Sequence, residues 1–230
     1  MISGLLSASG AGLSQQLTAV LSQLSLGLVT TLQIFVLTLV FSLPLGLFVA
    51  LGRMSKNNFV RIVVKVYISV MRGTPLMLQL MVVYFGPYYI FGVSISSTYR
   101  FYAVIIGFVL NYAAYFAEIY RGGIESMPAG QYEAAEVLGF GRAQTFVRII
   151  LPQVAKRILP SVTNEVITLV KDTSLAMVIS VGEMFTAAKA LASAQVSVIP
   201  FAVAGLFYYI MNYVVAFGME CIEKRMNYYR

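Results

Sequence analysis

Three ionisable side chains interrupt an apolar stretch that is long enough to cross a membrane. They are Glu165, Lys171 and Asp172, all within residues 161–181. Ionisable groups at membrane depth are energetically costly, so they are functional candidates. Because neighbouring residues of a helix point about 100° apart, Lys171 and Asp172 do not simply pair with each other. Asp172 and the two hydroxyl residues after it could cap a helix that restarts after a local break, as in the discontinuous helices of transporters.

These charges have three possible roles. They could form a structural pair between spans (Lys with Glu, or Asp172 with Arg72), contact a transported substrate, or act in gating. The rest of the sequence narrows the chemistry, because it has no His, a single Cys (Cys221) and no Gly-x-x-x-x-Gly-Lys-Ser/Thr phosphate loop. It therefore predicts neither a catalytic nor a metal site, and any energy from ATP must come from a separate chain.

Membrane helices must position these charges. Of the 230 residues, 59% are hydrophobic and 11% are charged, and the mean hydropathy is +0.83. A soluble domain carries about 25% charged residues, so this chain has too little charge to cover a surface that faces water. The apolar runs are too long and continuous for the alternating strands of an outer-membrane barrel. The predicted fold class is therefore an all-α integral membrane protein.

Five runs are apolar and long enough to cross a bilayer. They are approximately Leu24–Leu51, Pro75–Gly92, Tyr99–Tyr120, Ser161–Val181 and Ile199–Met219. We predict one transmembrane domain over residues 24–222. An extracytoplasmic segment, residues 1–23, precedes it, and a cytoplasmic tail, residues 223–230, follows it.

The cations are distributed unequally between the two sides of the membrane. Twelve Lys and Arg residues fall in the segments after the first, third and fifth spans, whereas Arg100 and Lys189 fall in the other segments. The positive-inside rule then places the N-terminus outside and the C-terminus in the cytoplasm. Residues 121–159 become the longest cytoplasmic segment. The net charge of +7 thus follows from membrane topology and needs no nucleic-acid partner.

The long cytoplasmic segment is predicted to contain a short helix, a turn and a second helix. Pro128 suits a helix start, Gln131–Leu138 consists of good helix formers, and Gly139 can adopt the left-handed conformation that ends a helix. The second helix is expected from about Gln144, with an interruption at Leu151-Pro152. A short surface helix of this kind either packs the loop against its own bundle or docks a cytosolic partner.

The segment carries a set of residues at fixed spacing: Glu133, Ala134, Ala135, Gly139, Ile149, Leu151 and Pro152. This pattern resembles the EAA loop of ABC importer permeases. In that family the short helix docks into a groove of the ATP-binding subunit, so the resemblance implies a role in ATPase coupling for these seven positions and for Leu138.

Two further stretches resemble the polar amino acid uptake family: Arg72–Leu80 and Asn164–Leu175. The resemblance implies a five-transmembrane-helix type I ABC importer permease bundle in the bacterial inner membrane, which imports a polar amino acid by alternating access. It implies two copies of an ATP-binding subunit that bind ATP and Mg²⁺, so that this chain itself is not an enzyme and carries no cofactor. It also implies an extracytoplasmic amino-acid-binding protein and a second permease chain in a homodimer or close heterodimer.

An amino acid presents an ammonium and a carboxylate, so its site needs acidic groups or carbonyls for one end and donors for the other. The two acidic candidates could bind the ammonium, the cations and hydroxyls could bind the carboxylate, and residues of the third span could line the same cavity. The predicted set is Arg72, Thr74, Asn111, Tyr112, Tyr115, Glu165, Lys171, Asp172 and Thr173.

Two other functions fit part of the sequence. A secondary transporter or channel driven by an ion gradient could use the same buried charges, but the small number of spans and the lack of an inverted repeat argue against it. A structural membrane subunit without a solute path would have no need of Glu165, Lys171 and Asp172 within a span.

Overall fold

The computed structural model describes residues 2–226, with side chains from residue 17 onward. Residues 227–230 of the predicted tail, and the side chains of residues 1–16, lie outside that description. The described chain consists of nine α-helices, one π-helical turn and one 3₁₀ segment. In chain order they are α1 (Ile2–Arg53), α2 (Asn58–Gly73), α3 (Leu76–Phe91), α4 (Ser97–Glu125), α5 (Ala129–Val137), α6 (Arg142–Thr145), the π-helical turn Phe146–Ile150, α7 (Leu151–Asp172), the 3₁₀ segment Thr173–Ile179, α8 (Met184–Gln195) and α9 (Ile199–Met226).

Three of these helices, α1, α4 and α9, are long and apolar enough to cross a membrane as single elements. Two further spans are possible as bent pairs: α2 and α3 meet at 112°, and the helix Arg142–Ile179 meets α8 at 59°. The predicted number of five is reached only when each bent pair is counted as one span. Helix α1 also continues through the predicted boundary at residues 23 and 24 without a break.

The second span differs from the prediction of one helix over Pro75–Gly92. Helix α3 has 16 residues and is about 24 Å long, which is shorter than a hydrocarbon core of about 30 Å. The chain bends before it because Thr74, which precedes a proline, takes the extended conformation with φ −123° and ψ 149°. Helix α2 therefore continues this span at a steep angle.

A buried amide network satisfies the backbone at that bend. The Met71 carbonyl, at the end of α2, accepts hydrogen bonds from Gln79 Nε2 at 2.9 Å and from Asn111 Nδ2 at 3.0 Å. The Asn111 amide also donates to Gln79 Oε1 at 2.9 Å. A helix end in an apolar environment needs such partners, because an unsatisfied carbonyl there is costly.

The centre of the bundle is α4, which α1 crosses closely. A Cβ atom added at Gly46 of α1 would lie 2.8 Å from the Phe116 Cβ of α4. Phe108 and Tyr112 of α4 are buried with Phe116 in the largest apolar cluster. Small residues at helix crossings allow the close packing that holds membrane helices together.

The predicted interruption at Leu151-Pro152 is wrong. The helical path continues from α6 through the π-helical turn into α7, and Pro152 stands in the first turn of α7. The Leu151 N–H donates to the Phe146 carbonyl, five residues back, as π-helical geometry requires. Widening the turn gives the proline a place where it causes no break.

Candidate functional site: a projecting helix and an intramembrane polar face

The short helix predicted in the cytoplasmic segment is present as α5. It begins after Pro128 and ends in a Schellman motif, in which the Phe140 N–H donates to the Ala135 carbonyl at 3.0 Å and the Gly139 N–H donates to the Glu136 carbonyl at 2.9 Å. Gly139 has φ +80°, so its predicted left-handed conformation is confirmed. The sequence therefore encodes both ends of this helix locally.

Helix α5 stands away from the bundle. Ala135 is its buried residue, whereas Glu133 and Ala134 are exposed. Its C-terminal end is apolar and open, with Val137 88% and Leu138 74% exposed. Two large apolar side chains at the tip of a short helix form a surface suited to a protein partner.

The remaining residues of the EAA resemblance lie at the base of α5. Ile149 and Pro152 line a surface cavity, and Leu151 is exposed beside them. Gln153 Nε2 donates a hydrogen bond to Gln131 Oε1 of α5 at 3.4 Å. This contact connects the projecting helix to the start of α7.

Among the candidate substrate residues, Arg72 and Tyr115 are in contact. The Arg72 guanidinium lies 5.2 Å from the centroid of the Tyr115 ring, a cation–π geometry. The structural pair considered between Arg72 and Asp172 is not present. Instead Arg72 faces Glu118 of α4, with 3.9 Å between Nη1 and Oε2.

Glu118 is the centre of a charge cluster that sequence reasoning missed. Its carboxylate lies 2.7 Å from Arg121 Nη2 and 3.9 Å from Arg53 Nε, in addition to the contact with Arg72. The cluster thus joins α1, α2 and α4. A signal was available, since Glu118 is an acidic residue near the end of a predicted span and Arg121 follows at helical spacing.

Asp172 is held by a different partner from the one its position suggested. Its Oδ2 accepts a hydrogen bond from the Tyr112 hydroxyl at 2.8 Å, and it makes no cap at the start of the 3₁₀ segment. The predicted helix cap at Asp172 is therefore wrong. Glu165 is half-buried on α7, two helical turns before Asp172, so it lies on the same face of that helix. Arg72, Tyr115, Glu165, Asp172 and Tyr112 thus form one polar face, which we call the α4–α7 polar face.

The other candidate residues do not join this face. Lys171 is exposed and lines a separate cavity of about 330 Å³ with Phe185 and Tyr208. The buried Thr173 hydroxyl donates to the Val170 carbonyl at 2.7 Å. Two further candidates belong to the network at the bend before α3, where Thr74 Oγ1 accepts from Gln79 and Asn111 is buried.

The real break after α7 occurs further along, and Glu183 caps the helix that restarts. Ser180 adopts a left-handed conformation with φ 57°, and α8 begins at Met184. The buried Glu183 carboxylate accepts hydrogen bonds from the Phe185 N–H at 2.7 Å and the Thr186 N–H at 2.6 Å. It also accepts from the Tyr208 hydroxyl of α9 at 3.1 Å. A helix cap and a contact between helices thus share one carboxylate.

Comparison with known proteins identifies the family. Residues 42–228 match the family described as "Binding-protein-dependent transport system inner membrane component". The chain belongs to this family. Its members are transport components, so this inner membrane component is a transport subunit of an importer and not an enzyme.

Individual relatives agree with this assignment. The chain is 34% identical over 201 residues to the putative glutamine transport system permease protein GlnP of Rickettsia conorii. The aligned region covers 87% of this chain and 91% of the relative. The chain is 36% identical over 202 residues to the arginine transport system permease protein ArtQ of Bacillus subtilis, with 87% and 91% covered. A solved structure described as an amino acid ABC transporter with histidines matches with a TM-score of 0.83 and 32% identity, covering 91% of this chain and 96% of that one. The all-α type I importer permease fold expected from the resemblance is confirmed.

Proposed function

We propose that this chain is the permease subunit of an ABC importer for a polar amino acid, and that α5 is the element through which the ATP-binding subunits drive it. The observation that carries the coupling role is the open apolar tip of α5, formed by Val137 and Leu138. A segment that served only to pack the loop against its own bundle would bury these side chains. The rigid Schellman turn behind the tip fits a helix that transmits force.

The assembly we propose has four kinds of component. Two ATP-binding subunits hold ATP and Mg²⁺ on the cytoplasmic side, an extracytoplasmic protein delivers the amino acid, and a second permease chain completes the path. The transmembrane domain comprises residues 24–222, with the N-terminal segment 1–23 outside and the tail 223–230 in the cytoplasm. The charge asymmetry of the sequence supports this orientation. Residues 121–159 are then cytoplasmic, and the projecting helix α5 within them faces the ATP-binding subunits.

The α4–α7 polar face supports the choice of a zwitterionic substrate. It presents a guanidinium, Arg72, and two carboxylates, Glu165 and Asp172, on neighbouring elements. Arg72 would bind the substrate carboxylate and the acidic pair its ammonium, which satisfies both ends of an amino acid. Relatives named for glutamine and arginine transport support the same substrate class. ATP-driven alternation would expose this face to each side in turn, which requires that the ATP-binding subunits bind the two states with different affinity.

The coupling role can be tested by removing the apolar tip. We expect the double variant Val137→Ser/Leu138→Ser to lose both the co-purification of the ATP-binding subunit and ATP-dependent uptake. The matched control is Val198→Ser, because Val198 is 78% exposed and lies between α8 and α9, on the predicted outer side. Normal assembly and uptake in the double variant would refute the coupling role. Stimulation of ATP hydrolysis in the purified complex by individual amino acids then tests the substrate class separately.

A further inference from the structure

A basic cavity lies beside the base of α5. It has a volume of about 620 Å³ and lies between the end of α4 and the beginning of α7. Three cationic side chains line it together with one amide and three apolar residues. The complete lining is Met127, Arg148, Ile149, Pro152, Gln153, Lys156 and Arg157.

Two of the cations in this cavity, Arg148 and Arg157, have no acidic neighbour in its walls. None of the described residues that line it is acidic. Arg157 Nη1 donates to the Ser126 carbonyl at 3.1 Å, which occupies one of the five N–H donors of a guanidinium. Arg148 makes no hydrogen bond or ion pair with any residue from 17 to 226. Two guanidinium groups with open donors match the geometry of a phosphate.

In the proposed orientation, the cavity lies near the cytoplasmic ends of the spanning helices. Ser126, which Arg157 contacts, directly follows the last residue of the spanning helix α4. Arg157 itself lies near the start of α7, before the apolar part of that helix. In that orientation the cavity lies beside the cytoplasmic ends of two spans, and three of its residues, Met127, Ile149 and Pro152, form an apolar wall. Basic pockets between spans at this level bind anionic headgroups.

We propose that this cavity binds the phosphate group of an anionic glycerophospholipid from the cytoplasmic leaflet. The apolar wall would contact the glycerol and the first methylene groups of the lipid. Because Gln153 lines the cavity and also contacts Gln131 of α5 at 3.4 Å, a bound lipid would brace the base of α5. The proposal rests on the proposed orientation of the chain, but it is independent of the substrate and of the docking role of α5.

The test uses the complete importer, purified and placed in phosphatidylcholine nanodiscs with increasing amounts of phosphatidylglycerol. Native mass spectrometry measures the phosphatidylglycerol that remains bound after the importer is released from the nanodiscs. A charge-assisted hydrogen bond from a guanidinium to the phosphate contributes a factor of at least about ten in affinity. We therefore expect the variant Arg148→Gln/Arg157→Gln to bind phosphatidylglycerol about 100-fold more weakly. The matched control Arg61→Gln/Arg225→Gln removes two exposed arginines of the same predicted side that do not line the cavity.

The possible outcomes separate the explanations. Loss of retention in the cavity variant alone supports the site, whereas equal retention in both double variants overturns it. Full displacement of phosphatidylglycerol from the mixed nanodiscs by inorganic phosphate would assign the cavity to a free anion and overturn the lipid assignment. If wild-type permease retains the lipid only after removal of the ATP-binding subunit, a protein partner covers the cavity and the proposal fails. Co-purification of the ATP-binding subunit, recorded for every variant, reports separately on the proposed function.

Discussion

Gly139 offers a test in which the conformation of a single residue is changed without altering any contact. Its φ of +80° ends α5, and a Cβ atom added there would meet nothing within 4 Å. Gly130, in the same helix, also has open space around an added Cβ atom, but its φ is not positive. Replacing each glycine by alanine therefore adds the same methyl group in two different backbone conformations, one within α5 and one in the turn that ends it.

The expected magnitude follows from the backbone alone. An alanine in the left-handed region costs about 1–2 kcal/mol, because its Cβ approaches the following carbonyl oxygen. Helix α5 has few contacts to share this cost, so Gly139→Ala should reduce the population of the intact turn by a factor of about 5–30. Gly130→Ala should be neutral or stabilise the helix by up to about 1 kcal/mol. Gly139→Asn should fall between these, since asparagine tolerates the left-handed region better than alanine.

The assay is the affinity of the permease for its ATP-binding subunit, measured in detergent, together with ATP-dependent uptake by the assembled importer. We expect the order Gly130→Ala, Gly139→Asn, Gly139→Ala from tightest to weakest binding. Thermal unfolding of the membrane domain should be the same in all three, because the turn lies outside the bundle.

Equal binding by Gly139→Ala and Gly130→Ala would refute the argument, since it predicts a penalty only where the backbone is left-handed. If Gly139→Asn bound as weakly as a bulky Gly139→Val, the defect would be steric exclusion of the partner, and the conformational explanation would be wrong.

Three further changes test the packing and the polar face. Gly27→Ala places a Cβ atom 2.8 Å from a backbone atom of α8 and should destabilise the fold by about 1–3 kcal/mol. The control is Gly218→Ala, whose Cβ atom would meet nothing within 4 Å. Equal thermal unfolding midpoints of the two variants in detergent would contradict the predicted clash. Glu183→Ala removes the acceptor of two backbone N–H groups at the start of α8 and should lower the free energy of unfolding by about 0.5–2 kcal/mol. Glu183→Asp should recover part of this loss. An unchanged unfolding midpoint in Glu183→Ala would contradict the capping role. Tyr112→Phe removes the hydrogen bond to Asp172, which is worth about 1 kcal/mol. The amino acid concentration for half-maximal uptake should therefore rise about fivefold. An unchanged concentration would remove Asp172 from the proposed substrate site.

Much of the site was predictable where the signal is local. The sequence places Gly139 at a helix end and Pro128 at a helix start, and α5 follows because both residues restrict their own backbone. The polar candidates were found by the cost of burying charge, and Arg72, Tyr115, Glu165 and Asp172 do lie on one face. Lys171 does not, because adjacent residues of α7 point in different directions, and the fold brings Tyr112 to the side of Asp172.

Partnerships between distant residues were not predictable in the same way. Asp172 was expected to cap a helix, yet its partner is Tyr112, 60 positions away. A pair between Arg72 and Asp172 was one of the alternatives left open, yet Arg72 faces Glu118. The cap at Glu183 lies 11 residues beyond the expected position, because the 3₁₀ segment continues α7 to Ile179 before the chain turns. These choices depend on which helices cross, and hydropathy carries no information about crossing.

The sequence by itself determined that this chain lies in a membrane and which of its segments are most apolar, because both depend on transfer free energies. It also determined that a short helix ends at Gly139, because that depends on the backbone of one residue. The tertiary structure alone decided that the second span bends at Thr74, that Glu118 gathers three arginines from three helices, and that Met127 and Arg157 border one basic cavity. The physical reason is that close packing of α1, α2, α4 and α7 fixes which polar groups meet, and a buried polar group takes the partner that this packing brings within hydrogen-bond distance.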